Sequence, residues 1–335
     1  MKFGSLRLRS ALVVALALAA LVALAAPVTA AAPQQALPGQ VSVIGGVNDP
    51  KDPNIAVLEF LPETLEVATG TTVTWEIAGP EPHSVTFVPP GTDPPSVDKD
   101  PSLFTPTPAT GPYDGTTLVN SGVLPLGQTS EVQKFSMSFA NPGTYTYYCV
   151  LHPNMVGTLQ VTTGAQDSQP KITKAGNAET KKYLAEGEAA KRKLLAAKPK
   201  QTQNSNGSTT YNVELGASTA HTDVLAFAPT PKNVKAGDHV TFVNNSSAPH
   251  TASFGGPLVP TVPIAPNVMS AVPGPSPQTL AQGVYLNTGW LPPKTKQGPA
   301  VAARSYTYDV PAPGKYTYVC VLHLPSGMAG EIDAT

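Results

Sequence analysis

The stretch VLEFLPETLEVATGTTVTWEIAGPEPHSVTF, residues 57–87, aligns without a gap on VLAFAPTPKNVKAGDHVTFVNNSSAPHTASF, residues 224–254, at an offset of 167. The same offset carries NSGVLP (120–125) onto NTGWLP (287–292), and PGTYTYYCVLH (142–152) matches PGKYTYVCVLH (313–323) at an offset of 171. A repeat unit of about 120 residues is an ordinary domain length. A chain written this way is expected to fold as two like domains, so a site in one copy should recur in the other.

Within each copy the pattern is short and punctuated. TLEVATGTTVTWEI reads as two strands around a glycine turn. In YTYYCV, Tyr145, Tyr147 and Cys149 share one face of a strand, with Thr146 and Tyr148 on the other. Such strands, with 37 prolines and 28 glycines in the chain, predict an all-β molecule: two tandem Greek-key β-sandwich domains, antiparallel in pairing. Segments 89–117 and 255–283 read as long loops without regular structure. The domains are expected at 41–162 and 208–335, joined by a charged, partly helical linker at 163–207. There AETKKYLAEGEAAKRKLLAAK (178–198) places Tyr183, Leu184, Gly187, Leu194 and Leu195 at helical spacing, and Pro199 stops the helix. Ser, Asn, Gln and Gly follow as a flexible exit.

Charge divides by segment. Residues 41–162 carry 12 Asp/Glu against 3 Lys, and residues 163–207 carry 9 Lys/Arg against 4 Asp/Glu. The division is that of separate solvated surfaces, of a basic helix laid on an acidic first domain, or of an acidic face that attracts a cationic partner. No basic patch falls on a folded domain, so nucleic acid is not an expected partner. Lys2, Arg7 and Arg9, the apolar run from Ala11 and the site Val28-Thr29-Ala30 read as a signal peptide over residues 1–30. An exported protein of the periplasm, cell surface or extracellular space is expected, with membrane association only if that segment is retained.

The two cysteines of the chain each precede a histidine and a methionine. Copy one holds His83, then Cys149, His152 and Met155; copy two holds His250, then Cys320, His323 and Met328. A thiolate, two imidazoles and a weak thioether are the donor set of a blue copper site. A Cys149–Cys320 disulfide would require both cysteines to leave equivalent positions and would make the neighbouring His and Met a duplicated coincidence. Met137 and Met269 are read as core, Trp75 as packing, and His221 and His239 as surface residues.

These motifs resemble the cupredoxin family, plastocyanin and amicyanin in particular. Cys149-x2-His152-x2-Met155 is similar to the short amicyanin-like ligand loop, and Cys320-x2-His323-x4-Met328 to the longer plastocyanin-like one. The resemblance implies eight-stranded Greek-key sandwiches, His83 and His250 as upstream ligands, and one type 1 copper (Cu+/Cu2+) per domain. It implies that His152 and His323 sit at the surface in apolar patches lined by Pro153, Leu324 and Pro325 and form the electron exit. Tyr148 matches a tyrosine linked to electron entry; Val319 does not. Where the family often has Asn after the upstream His, this chain has Ser84 and Thr251, whose hydroxyls are expected to tie the ligand loops together.

Multicopper oxidases and copper nitrite reductases, built of the same domains, need further histidines in His-x-His pairs or beside the Cys. This chain has six histidines, four of them in the ligand sets, and neither arrangement occurs. The expected function is therefore electron transfer between redox protein partners, a c-type cytochrome or a copper oxidase or reductase among them, without catalysis. The alternative is a copper-binding or delivery protein using the same ligands.

Overall fold

The computed structural model describes residues 39–124, 131–164, 166–256, 275–294 and 304–335. The expected signal peptide and Met269 lie outside the described residues. The first repeat forms β1 (Gln40–Asn48), β2 (Ile55–Leu61), β3 (Thr64–Ala68), β4 (Thr72–Ile77), β5 (Thr86–Phe87), β6 (Val119–Asn120), β7 (Gln133–Ser138), β8 (Gly143–Tyr148) and β9 (Val156–Thr162). Helix α1 (Gln169–Leu195) follows. The second repeat forms β10 (Lys200–Gln203), β11 (Thr209–Ser218), β12 (Thr222–Ala228), β13 (His239–Val243), β14 (Ser253–Phe254), β15 (Gln278–Thr279), β16 (Leu286–Asn287), β17 (Ser305–Asp309), β18 (Gly314–Val319) and β19 (Ala329–Ala334).

In the first repeat, β2-β1-β4-β7 pack face to face on β3-β9-β8-β5-β6. Alternation drives this: Val73, Trp75 and Ile77 of β4 are buried while the residues between them are not, and Val73 and Trp75 meet Phe87, Tyr147 and Cys149 from the facing sheet in one core. Trp75 lies edge-on to Phe87 and Tyr147, a packing role, and Met137 is core as expected. The turn after β3 does not make a hairpin. Through Gly70, at φ +84°, the chain crosses from one sheet to the other. β3 then pairs in parallel with β9, and β4 in parallel with β1. The expectation of purely antiparallel sheets is corrected accordingly. The second repeat copies the plan, with its counterpart of β3 reduced to the single bridge Val234–Ala334.

The long loops are not wholly irregular. The first contains a 3-10 turn, Pro101–Phe104, capped by Asp100, and is held by Asn120 Nδ2 donating to the carbonyls of Leu103 and Thr105. The described end of the second contributes β15. The expected flexible exit from the linker is instead a hairpin: β10 pairs antiparallel with β11 around residues 204–208, a turn fixed by Asn204 and Asn206 side chains.

The two repeats are not beads on a string; the described residues from Gly39 to Thr335 belong to one compact unit. β2 and β12, edge strands of their own sandwiches, pair antiparallel with Val57 opposite Thr222, Ala56 opposite Asp223 and Ile55 opposite Val224. In the repeat alignment Ile55, Ala56 and Val57 correspond to Thr222, Asp223 and Val224. The junction is therefore symmetric about the Ala56–Asp223 pair, as in an isologous dimer, and fuses two half-sandwiches into one ten-stranded sheet. Helix α1 lies across β1, β2, β11 and β12. Gly187 makes that approach possible: a Cβ there would meet Ile55 Cγ2 at 2.4 Å and Thr222 Cγ2 at 2.5 Å. Lys191 pairs with Asp52 at 2.6 Å, so the basic helix does contact acidic repeat one, but it also spans the junction.

Candidate metal centre

The strand end of β8 and the loop to β9 deliver Cys149, His152 and Met155; the turn before β5 delivers His83. Cys149 Sγ lies 3.4 Å from His152 Nδ1 and 4.0 Å from His83 Nδ1, and the two Nδ1 atoms are 3.2 Å apart. In the second repeat Cys320 Sγ lies 3.3 Å from His323 Nδ1 and 3.8 Å from His250 Nδ1. Met155 and Met328 are buried in the same cores as their cysteines. Both cysteines are free thiols, so no disulfide joins the repeats. Each ligand loop closes on its own histidine carbonyl: Met155 N–H donates to His152 O at 2.9 Å, and Met328 N–H to His323 O at 3.2 Å despite the two extra residues.

The cradle is built by neighbours. Val150 N–H donates to Ser84 Oγ at 2.9 Å and Val321 N–H to Thr251 Oγ1 at 3.0 Å. These hydroxyls tie the ligand loop to the upstream histidine's turn. The Ser84 and Thr251 N–H groups also point at the thiols, at 3.4 and 3.3 Å, the kind of outer contact that tunes a metal thiolate. Beneath His83 the backbone bulges at Gly46, φ +78°, where a Cβ would fall 2.0 Å from His83 Nε2. Gly216 is its counterpart under His250.

The electrostatics suit a metal. Burial opposes ionisation of Cys149, but His152 and His83 outweigh it and hold the thiol well below its usual range. Cys320 is lowered in the same way against burial, chiefly by His323 and His250. The thiolate is the ligating form. Two imidazole Nδ1 atoms and a soft sulfur, converging in a buried and pre-shaped pocket, fit copper. These are two type 1-like copper sites, one per repeat.

One expectation is overturned. His152 and His323 are each only 2 % exposed, so they form no surface exit patch. The symmetric β2–β12 junction turns the two ligand loops toward each other. The outward Nε2 atoms of both rings reach a single carboxylate oxygen, Glu81 Oε1, at 3.2 Å from His152 and 3.1 Å from His323. Burial pushes the Glu81 carboxyl up, but the two imidazoles hold it far below the usual carboxylate range. His152, pushed down by burial, is raised to about 9 by Cys149 and Glu81. Around this bridge Pro82, Phe104, Leu151, Pro249, Trp290 and Leu322 line a cavity of about 10 Å3. Trp290 packs against both cores, and Phe104 comes from the first long loop. Glu81, Gly46 and Trp290 were not singled out by sequence reasoning. The signal available was asymmetry between the copies: Glu81 aligns with Ala248 and Trp290 with Val123.

His221 and His239 are half-buried rather than free on the surface. His221 stacks on Tyr183 with ring centroids 4.1 Å apart and pairs with Glu186; His239 pairs with Asp309 at 2.6 Å. A third convergence, Glu59, Glu63 and His221, brings donor atoms within 4.8 Å of one another. Its members are largely engaged already: Tyr183 Oη donates to Glu63, and Glu63 N–H donates to Glu179.

The sequence profile of the copper binding proteins of the plastocyanin/azurin family matches residues 51–162 and 211–335. Similar curated proteins include the chloroplastic plastocyanin of Tetradesmus obliquus, 31% identical over 121 residues, which are 36% of this chain and 64% of that protein. The chloroplastic plastocyanin of Chlamydomonas reinhardtii is 29% identical, covering 36% and 63%, and the plastocyanin of Scenedesmus fuscus 30% identical, covering 36% and 94%. The chain thus spans less than two thirds of the first two relatives. Among solved structures, a Cu(I) form of an amicyanin mutant covers 37% of this chain and 83% of its own at 22% identity, with a TM-score of 0.24.

Proposed function

Because this chain belongs to the plastocyanin/azurin family of copper-binding proteins, we propose that it is an exported electron carrier holding one type 1 copper in each repeat. The observation that carries this reading is the pair of buried, convergent thiolate–imidazole–imidazole sets, each with a buried methionine in the following loop. Bound copper there supplies a one-electron couple between Cu+ and Cu2+. The protein's part is to hold the donors still: core strands fix the cysteines, and Ser84 and Thr251 clamp the loops, so little has to move when the charge changes. No enzymatic copper centre can be assembled from what is left, since His221 and His239 are committed to Glu186 and Asp309. Redox proteins are the expected partners. With both ligand imidazoles buried, Tyr148 is the better candidate for entry: it is half-buried and lines a cleft of about 560 Å3 beside Asp114 and Tyr145. Export rests on the reading of residues 1–30 alone.

A delivery role needs ligands that an acceptor can reach, and burial of both sets works against it. The test is to add Cu2+ to purified protein. Intense blue absorption at two coppers per chain is expected, with Cys149→Ser and Cys320→Ser each removing one copper and its share of the colour. Copper should survive repeated reduction and oxidation in the presence of a Cu+ chelator. A colourless stoichiometric complex, or steady loss of Cu+ to the chelator, would sink the electron-carrier reading.

A further inference from the structure

We propose that Glu81 joins the two copper sites into one redox unit, its carboxylate forming with His152 and His323 the path by which an electron passes between the repeats inside the chain. This rests on the electron-carrier reading above and adds to it where the electron goes.

Four observations converge. First, both rings turn Nδ1 toward their thiol and Nε2 toward Glu81, so the bridge leaves each ligand set from the side opposite the metal donors. Second, one oxygen serves both rings, which makes the link between the two ligand imidazoles two hydrogen bonds and a single atom long. Hydrogen bonds from an imidazole N–H to a carboxylate are charge-assisted, and a low-dielectric setting strengthens them. Third, the carboxylate is 2 % exposed and Oε2 has no hydrogen-bond partner among the described residues. Burying a charge this way is costly, and the packing of the fold does not require it, because the equivalent residue of repeat two is Ala248. Fourth, the apolar wall of Phe104, Leu151, Trp290 and Leu322 keeps the bridge out of bulk water, which leaves His152 and His323 no surface from which to meet a partner.

The step is balanced simply. One electron leaves the reduced site, which is oxidised by one unit, and enters the other, which is reduced by one; no bond forms or breaks, and both Nε2 protons stay on their rings. Because one oxygen accepts from both rings, a positive charge gained on one side tightens that hydrogen bond and slackens the other. The state of one site is thereby felt at its neighbour.

The experiment uses the full chain, 15N-labelled, copper-loaded and half-reduced. Exchange broadening of resolved resonances in each repeat is followed by NMR as protein concentration is varied. Wild type is expected to show an exchange component independent of concentration. Glu81→Leu and Glu81→Ala, each of which removes both hydrogen bonds and the second of which installs the residue that repeat two carries at Ala248, should lower that component at least tenfold with copper count and blue absorbance unchanged. An undiminished component in a Glu81 variant that binds two coppers overturns the proposal, and so does a wild type whose exchange scales wholly with concentration. If Glu81→Leu does not fold, the Glu81→Ala result and the wild-type concentration series decide. A blue, two-copper protein without internal exchange refutes the bridge alone, whereas a colourless one refutes the electron-carrier reading and the bridge with it.

Discussion

At the scale of single residues, the ligands were legible and their supports were not. His83, Cys149, His152 and Met155 and their partners in repeat two stand out because donor chemistry and spacing recur. Glu81 carries no such mark, since its role depends on a ring from the other repeat, 242 positions away in sequence. Gly46 was equally silent, because the need for a missing side chain appears only when His83 folds back over the bulge. Gly46→Ala should therefore displace His83. We expect loss of the first repeat's copper and a destabilisation of about 2 kcal/mol from overpacking and the positive φ, checked by copper analysis and thermal melting. Glu59 gives a pH signature. Burial, with Glu63 and Glu179 nearby, raises its carboxyl to about 9. The folded state thus keeps a proton that the unfolded chain releases near its ordinary value, so this residue lowers stability progressively as pH rises through the window between the two. Glu59→Gln should be more stable than wild type at pH 8 by up to about 5 kcal/mol, a gain that shrinks toward zero near pH 4. Denaturant melts across pH measure it, and an advantage that does not vary with pH would contradict the assignment.

At the scale of elements, strand existence and the helix came through from periodicity, whereas pairing did not. Alternation in β4 and β8 says which face is buried but not which strand lies alongside, so the parallel β1–β4 and β3–β9 pairs were invisible. The linker misled for a different reason. Its polar composition is that of a flexible tether, yet Lys200–Gln203 finds β11 as a partner. The helix runs earlier than its strongest pattern, from Gln169, and Leu195 ends up 57% exposed because Leu194 takes the inward position. Gly187→Ala is the telling substitution. On an open helix it would gain about 1 kcal/mol; here the added methyl overlaps Ile55 and Thr222, and a loss of about 1–3 kcal/mol is expected by thermal denaturation. The unequal ligand loops, two residues between His152 and Met155 against four between His323 and Met328, should give two midpoints in a redox titration. A single shared midpoint would count against that.

At the scale of the whole molecule, the repeat announced two domains but not that they would merge. Nothing in either copy says that β2 and β12 will meet, because an edge strand reads the same whether it faces solvent or a twin. Since the sheet is continuous and α1 straps the seam, calorimetry of the full chain should show one cooperative transition rather than two. The matched register at the seam has a further consequence. Severed into halves, each repeat would present a seven-residue strand buried in the intact protein throughout in β2 and at all but Ala226 in β12, an adhesive margin that a second identical first half could satisfy by placing Ala56 against Ala56. Such an assembly would come apart on dilution. Tethering both halves in one polypeptide makes the partner's local concentration permanent, so two redox centres stay neighbours however scarce the protein becomes.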